Sequence, residues 1–243
     1  GLSTQIRAIT TDVETVGRQT MMFSATFADD VRDLASWIVR FPVEVRVGLK
    51  DPLRANPDIE QRICIVKDEM DKEGALKNLL RKHYAPHVDD PGKVLVFCLE
   101  ADVCDLVAKK LKGTLLGAEI ETLHGNKKQE DREKAIMQFR KGDVPVLVAT
   151  NVAGRGLDIK DVNLVINFDP PEDGGDYVHR IGRTARAGQK GTAITLLRKG
   201  PDGRAMAYIA QVMRRSGKDV PRDLIDALKQ RRGRDMEFAQ QLL

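Results

Sequence analysis

From about residue 60 the chain alternates two hydrophobic periods. Apolar runs of strand length fall at 62–66 (RICIV), 94–97 (VLVF), 120–123 (IETL), 145–149 (PVLVA), 164–168 (LVINF) and 192–197 (TAITLL). Several are continuous rather than alternating, the pattern of strands buried on both faces. Between them, apolar residues recur at helical spacing: Leu76, Leu79, Leu80 and His83; Val103, Leu106, Val107 and Leu111; Ala135, Ile136 and Phe139; Ala205, Ile209, Val212 and Met213. Strand and helix in regular alternation predict an α/β fold, a doubly wound parallel sheet with helices on both faces, over residues 60 to 219.

Residues 1–48 do not continue this pattern. They predict a helical start, a strand (QTMMF), a helix (DDVRDLASWIVRF) and a second strand (VEVRV), too little to close a core. They read as the tail of another domain. Residues 49–59, with two prolines and mixed charge, read as a linker. After residue 220 one or two further helices form a basic extension to 243.

Composition places the chain among ordinary globular proteins, with 243 residues, 42% apolar and 31% charged. No apolar run approaches the roughly 18 residues of a membrane span, and the start, GLSTQIRAITTD, lacks the order of a signal peptide. Cys64, Cys98 and Cys104 form neither a CxxC pair nor a His-spaced metal set, which suits buried thiols in a reducing compartment. An intracellular protein of nucleus or cytoplasm, with no membrane partner, follows. The net charge of +4 is too small for a histone-like binder, but its distribution is uneven. Residues 177–201 carry six Lys or Arg and no Asp or Glu; residues 214–234 carry eight against three Asp.

Three segments at strand ends carry candidate chemistry. Ligands of open parallel sheets bind outside the carboxyl ends of the strands, so all three are expected at that one rim. ATNVAGRGLDI (149–159) offers Thr150, two glycines around Arg155, and Asp158: hydroxyl and amides for phosphate, carboxylate for sugar hydroxyls. A plain Gly-rich turn would look the same. LHGNKKQEDRE (123–133) places Gln129 and Arg132 on one face of a first helical turn, fit for a phosphate backbone or for solvent. HRIGRTARAG (179–188) spaces Arg180, Arg183 and Arg186 by three residues; were it helical, all three would share a third of the circumference and face a polyphosphate or a nucleic-acid backbone.

Taken in order with SATF (24–27) and VLVFCLEA (94–101), these segments resemble the motifs of the DEAD-box RNA helicases. The resemblance implies the second of two RecA-like domains, preceded by the last part of the first. That family couples hydrolysis of ATP, held with Mg2+, to local separation of RNA duplexes. By match, Arg183 and Arg186 resemble the arginines that reach the γ-phosphate, and His179 the residue linking that motif to the acidic box. Asp158 resembles the ribose contact, Gln129, Arg132 and Thr150 contacts to the RNA phosphate backbone, and Ser24 and Thr26 the coupling motif. Phe97 is expected beneath the arginine motif, and Arg180 as structural or as an interdomain ion-pair partner. Neither G-x-x-x-x-G-K-[ST] nor D-E-A-D occurs in this sequence, so the chain alone is expected not to hydrolyse ATP. Asn151 stands where most members have Asp, Gly154 where Ala is usual, and Lys127-Lys128 where Met-Ser is common. Loss of the carboxylate at 151 puts the charge pairing between its loop and the arginine motif in question. Protein cofactors and self-association through the first 48 residues are further expected partners. A non-catalytic RNA- or protein-binding module of the same fold is the alternative, and a DNA translocase a third reading.

Overall fold

The computed structural model describes residues 2–13, 18–23, 29–45, 51, 53–85, 88, 91–112, 118–151, 159, 162–185 and 188–230. The chain divides into two compact units, Gly1–Pro52 and Leu53–Leu243.

The first unit holds helices α1 (Leu2–Asp12) and α2 (Asp29–Ile38). Arg7 lies over the Trp37 ring at 5.1 Å, joining them. The strand expected at QTMMF is not formed, and Val43 to Val45 of VEVRV are likewise outside any strand; 46 and 47 lie outside the described residues. A strand persists only where its N–H and C=O groups are paired by a neighbour, and none of the described residues of this unit supplies one. Apolar pattern alone therefore overcounted strands here. Phe23 and Val43 stand 88% and 87% exposed.

The second unit runs β1 (Ile59–Val66), α3 (Glu69–His83), β2 (Val94–Phe97), α4 (Ala101–Leu111), β3 (Ile120–Leu123), α5 (Gln129–Lys141), β4 (Val146–Ala149), β5 (Leu164–Asn167), α6 (Gly174–Ile181), β6 (Gly191–Arg198), α7 (Gly203–Arg215) and α8 (Arg222–Lys229). All six strands pair in parallel in the order β1-β6-β5-β2-β4-β3. The continuous apolar runs explain why β2, β4 and β5 are buried along their whole length: alternate side chains feed two different cores. Leu95, Phe97, Leu147, Ala149 and Val165 pack against α5, α6, α7 and α8 on one face. Val94, Val96, Val146, Val148 and Ile166 pack against α3 and α4 on the other. This is a doubly wound α/β arrangement with helices on both faces.

Local chemistry starts and stops the helices. Asp68 and Asp173 cap α3 and α6 by accepting the N–H of Asp71 and Asp176, each side chain satisfying a donor the helix leaves open. Gly142 ends α5 at φ 86°, a left-handed conformation that favours glycine. Residues 53–58 lie on this unit: Ala55 is buried and its N–H donates to Ser216 Oγ at 2.8 Å. Helix α8 buries Leu224, Ala227 and Leu228 in the same core as α7. Cys98 and Cys104 are fully buried free thiols, and Cys64 is half-buried.

Candidate functional site

The topology separates segments that sequence reasoning placed together. Because every strand is parallel, all carboxyl ends share one edge of the sheet, and each helix must run back to the opposite edge before the next strand. Gln129, Arg132 and Thr150 follow the ends of β3 and β4, so they lie at the carboxyl edge. Arg183 lies beyond the far end of α6, ahead of β6, and so at the amino edge. There it lines a small cavity of about 90 Å³ with Val162, Asn163, Thr184, Gln189 and Lys190. The single rim expected for all three segments is thus two edges of one sheet.

The arginine stripe is corrected by the same geometry. Helix α6 ends at Ile181, with Gly182 as its cap. Arg180 is inside the helix and 2% exposed, whereas Arg183 is in the turn that follows. Side chains on a helix lean toward its N-terminus, which directs Arg180 back to the carboxyl edge. Its Nη1 donates to the Asp169 carbonyl at 2.7 Å and weakly to Asn167 Oδ1 at 3.4 Å, and its Nε donates to Asn151 Oδ1 at 2.6 Å. The guanidinium also lies over the Phe97 ring at 5.1 Å, the packing expected of Phe97. Burial lowers its pKa to about 10, against the opposing pull of Asp176 and other neighbours, so it stays charged at neutral pH. Arg180 is a structural clamp within this unit.

Asn151 carries the other half of the clamp. Its Oδ1 accepts from Arg180 and its Nδ2 donates to Asp176 Oδ2 at 3.0 Å. The bond between this loop and the arginine helix is therefore kept without a carboxylate, and the amide additionally satisfies Asp176. Asp169, at the end of β5, joins a third element: its Oδ1 meets the fully buried Lys72 Nζ at 2.5 Å and its Oδ2 accepts the Leu99 N–H. Asn167 reaches Thr195 Oγ1 on β6 at 3.0 Å. Asp169, Asp176 and Lys72 were not singled out by sequence reasoning. Asp173, which caps the helix three residues ahead of Asp176, is the one local signal that could have marked Asp176; Lys72 and Asp169 are 97 residues apart and no local signal pairs them.

At the carboxyl edge, α5 begins without a side-chain cap, at Lys128. Arg132 donates to Gln129 Oε1 at 3.2 Å, and Gln129 donates to Glu133 at 2.8 Å, so the expected pair does share a face. Arg132 Nε is buried without a protein partner among the described residues, a donor that an anion could satisfy. Thr150 is buried, its N–H on the Leu123 carbonyl. His124 follows the end of β3, and its Nε2 sits 3.1 Å from Asp105 Oδ1, alongside Thr122 Oγ1 at 3.0 Å. Burial raises the Asp105 pKa, yet these two hydrogen bonds and the neighbouring Lys127 bring it below the ordinary value.

His179 is half-buried on α6, one residue before the clamp. Ser24, Thr26, Asp158 and Arg186 lie outside the described residues. Arg183 and Lys190 give the cavity a basic lining, the chemistry that pairs with an anionic group. Among the described residues no group of three or more His, Cys, Asp or Glu is placed to hold a metal ion. Also among the described residues, no helix is long and apolar enough to cross a membrane.

The six-stranded parallel sheet is a RecA-like unit, and residues 71–188 match the helicase conserved C-terminal domain. The chain is 41% identical over 226 residues to DEAD-box ATP-dependent RNA helicase 40 of Oryza sativa subsp. japonica, covering 93% of this chain and 27% of that protein. Among solved structures it resembles the Escherichia coli DEAD-box protein SrmB bound to regulator of ribonuclease activity A, with 38% identity, a TM-score of 0.56, and 63% of this chain and 85% of that one covered. It also resembles Saccharomyces cerevisiae Dbp5 bound to RNA and ADP BeF3, with 30% identity, a TM-score of 0.73, and 100% of this chain and 59% of that one covered. This chain belongs to the DEAD-box RNA helicase family. It spans less than half the length of the curated relatives it matches.

Proposed function

We propose that this chain is the second RecA-like domain, with the last part of the first, of an ATP-dependent RNA helicase that clamps RNA and nucleotide between two such domains. The observation that carries the reading is the two-edged placement of its charges. Gln129, Arg132 and Thr150 at the carboxyl edge meet the RNA phosphate backbone, a contact that binds without reading sequence. Arg183 at the amino edge, with Arg186 and the Asp158 ribose contact, completes the nucleotide pocket. Asn151, Arg180 and Asp176 tie the loop after β4 to the helix that leads into the Arg183 turn, so the two edges share one rigid connection. His179, Ser24 and Thr26 couple this unit to the other lobe. Support for two ligands comes also from Dbp5, solved with both RNA and ADP BeF3.

Bound ATP supplies the phosphoryl group that is cleaved, and Mg2+ is held by residues outside this set. Arg183 donates to phosphate oxygens and stabilises the charge that develops on them, an effect worth roughly 10³ to 10⁵ in rate for arginines so placed in related NTPases. The chain alone, without a phosphate loop or an acidic box in its sequence, does not turn over ATP. The exposed Phe23, Phe41 and Val43 of the first unit are the apolar surface through which self-association of the chain is proposed.

RNA-stimulated ATP hydrolysis by the full-length protein tests this. Arg183→Ala is expected to lower kcat by at least a hundredfold with the RNA affinity kept; a variant within tenfold of wild type refutes the nucleotide role. Arg132→Ala is expected to lower the salt slope of RNA binding by about one. A full-length protein that binds RNA but shows no turnover with any RNA would favour the binding module.

A further inference from the structure

We infer that Asn56 is a positioning residue for Arg183, acting through the turn on which that arginine sits; the inference rests on the nucleotide role proposed above. Three observations converge on this turn. Ala185 adopts φ 55°, a left-handed conformation unfavourable for a residue with a Cβ. It is held there by Asn56, whose Nδ2 donates to the Ala185 carbonyl at 2.8 Å across 129 residues of sequence. The Asn56 amide is itself aimed, because its Oδ1 accepts the Asp58 N–H at 3.0 Å, which leaves the NH2 group toward Ala185.

The same short segment grips the far end of the turn. Gly191 N–H donates to the Asp58 carbonyl at 3.2 Å as β6 begins. A Cβ at Gly191 would come within 2.5 Å of the Ala185 nitrogen, so the turn is pressed directly onto the strand. Segment 55–58 is fastened on its other side to the end of α7, through Ala55 N–H on Ser216 Oγ at 2.8 Å and Lys218 Nζ on the Pro57 carbonyl at 2.6 Å. Ala185 and Gly191 are therefore both held by a segment whose footing is the end of a core helix. Arg183 lies just ahead of Ala185. A strained turn needs outside restraint to keep one conformation, and the Asn56 amide supplies it at the Ala185 carbonyl. Asp at this position would keep the acceptor and lose the donor.

The test uses the full-length protein. Asn56→Ala and Asn56→Asp are expected to lower kcat for RNA-stimulated ATP hydrolysis by roughly 3- to 10-fold, the loss of one hydrogen bond, with KM for RNA within twofold. Lys218→Ala, which removes the bond to the Pro57 carbonyl but keeps the Ala55–Ser216 bond and the Asn56 bond to Ala185, leaves kcat unchanged. In an Arg183→Ala background Asn56→Ala adds no further loss, since a residue acting through another is silent once that one is gone. Full kcat in Asn56→Ala beside an inactive Arg183→Ala overturns the inference. So does an additive loss in the double variant. Hydrogen exchange separates this from failure of the nucleotide reading: Asn56→Ala is expected to speed exchange of the Thr184 to Gly191 amides whether or not Arg183 serves hydrolysis. Unchanged exchange there overturns it.

Discussion

Asn151 is the residue at which this chain departs from the usual Asp, and Asn151→Asp can be worked through from the clamp around it. One oxygen stays 2.6 Å from Arg180 Nε, while the other replaces an NH2 group that lay 3.0 Å from Asp176 Oδ2. At an effective dielectric of about 20, a new charge gains about 6 kcal/mol from the arginine and loses about 5.5 kcal/mol to the aspartate. These terms nearly cancel. What remains is the donor lost to Asp176 and the cost of a further charge in a half-buried site, together about 1–2 kcal/mol of destabilisation. With a urea m value of about 2 kcal/mol/M the unfolding midpoint falls by roughly 0.5–1 M at pH 7.5. Two carboxylates about 3 Å apart share a proton as pH falls, which restores the missing donor, so the deficit relative to wild type shrinks toward pH 5.5. Urea titrations of both proteins at the two pH values measure this. A variant as stable as wild type at pH 7.5, or a deficit that grows toward pH 5.5, refutes the reasoning. In the full-length protein the weakened clamp is expected to reduce RNA-stimulated ATP hydrolysis severalfold, about what 1 kcal/mol delivers.

Lys72→Ala leaves the Asp169 carboxylate without its buried cation and is expected to cost about 3–5 kcal/mol in a urea titration; a loss below about 1 kcal/mol would contradict the pairing. Gly191→Ala drives a Cβ into the Ala185 nitrogen, so it is expected to cost more than about 2 kcal/mol, and a melting temperature equal to wild type would show that the turn yields freely. Burial lowers the pKa of His83, with the Pro91 backbone pulling the other way. The unfolded chain then takes up the proton first, and stability present above pH 6.5 is lost as pH falls below it. His83→Phe is expected to flatten the midpoint against pH between 7.5 and 5.5, and an unchanged slope would remove His83 from that dependence.

The strands of the second unit were legible because burial on both faces leaves continuous apolar runs such as VLVF and VLVA, a signal that needs no knowledge of neighbours. The same logic failed at QTMMF, where apolar residues meet no pairing partner among the described residues. Motif spelling likewise marked Gln129, Arg132 and Thr150 without showing how Arg132 rests on Gln129. For Arg180, Arg183 and Arg186, even spacing suggested one shared face. A cap at Gly182 instead divides them, sending Arg180 inward and Arg183 to the opposite edge.

The sequence by itself determined the alternation of β and α elements, and with it a parallel sheet whose loops carry phosphate-suited side chains. Periodicity and motif are properties of neighbours along the chain. Only the tertiary structure decided which edge each charge occupies, that Asn151 serves Arg180 and Asp176 at once, and that Asn56 holds the turn next to Arg183. Those contacts join residues 25 to 129 positions apart, and partners so distant are chosen by strand order and helix direction, which no local pattern encodes.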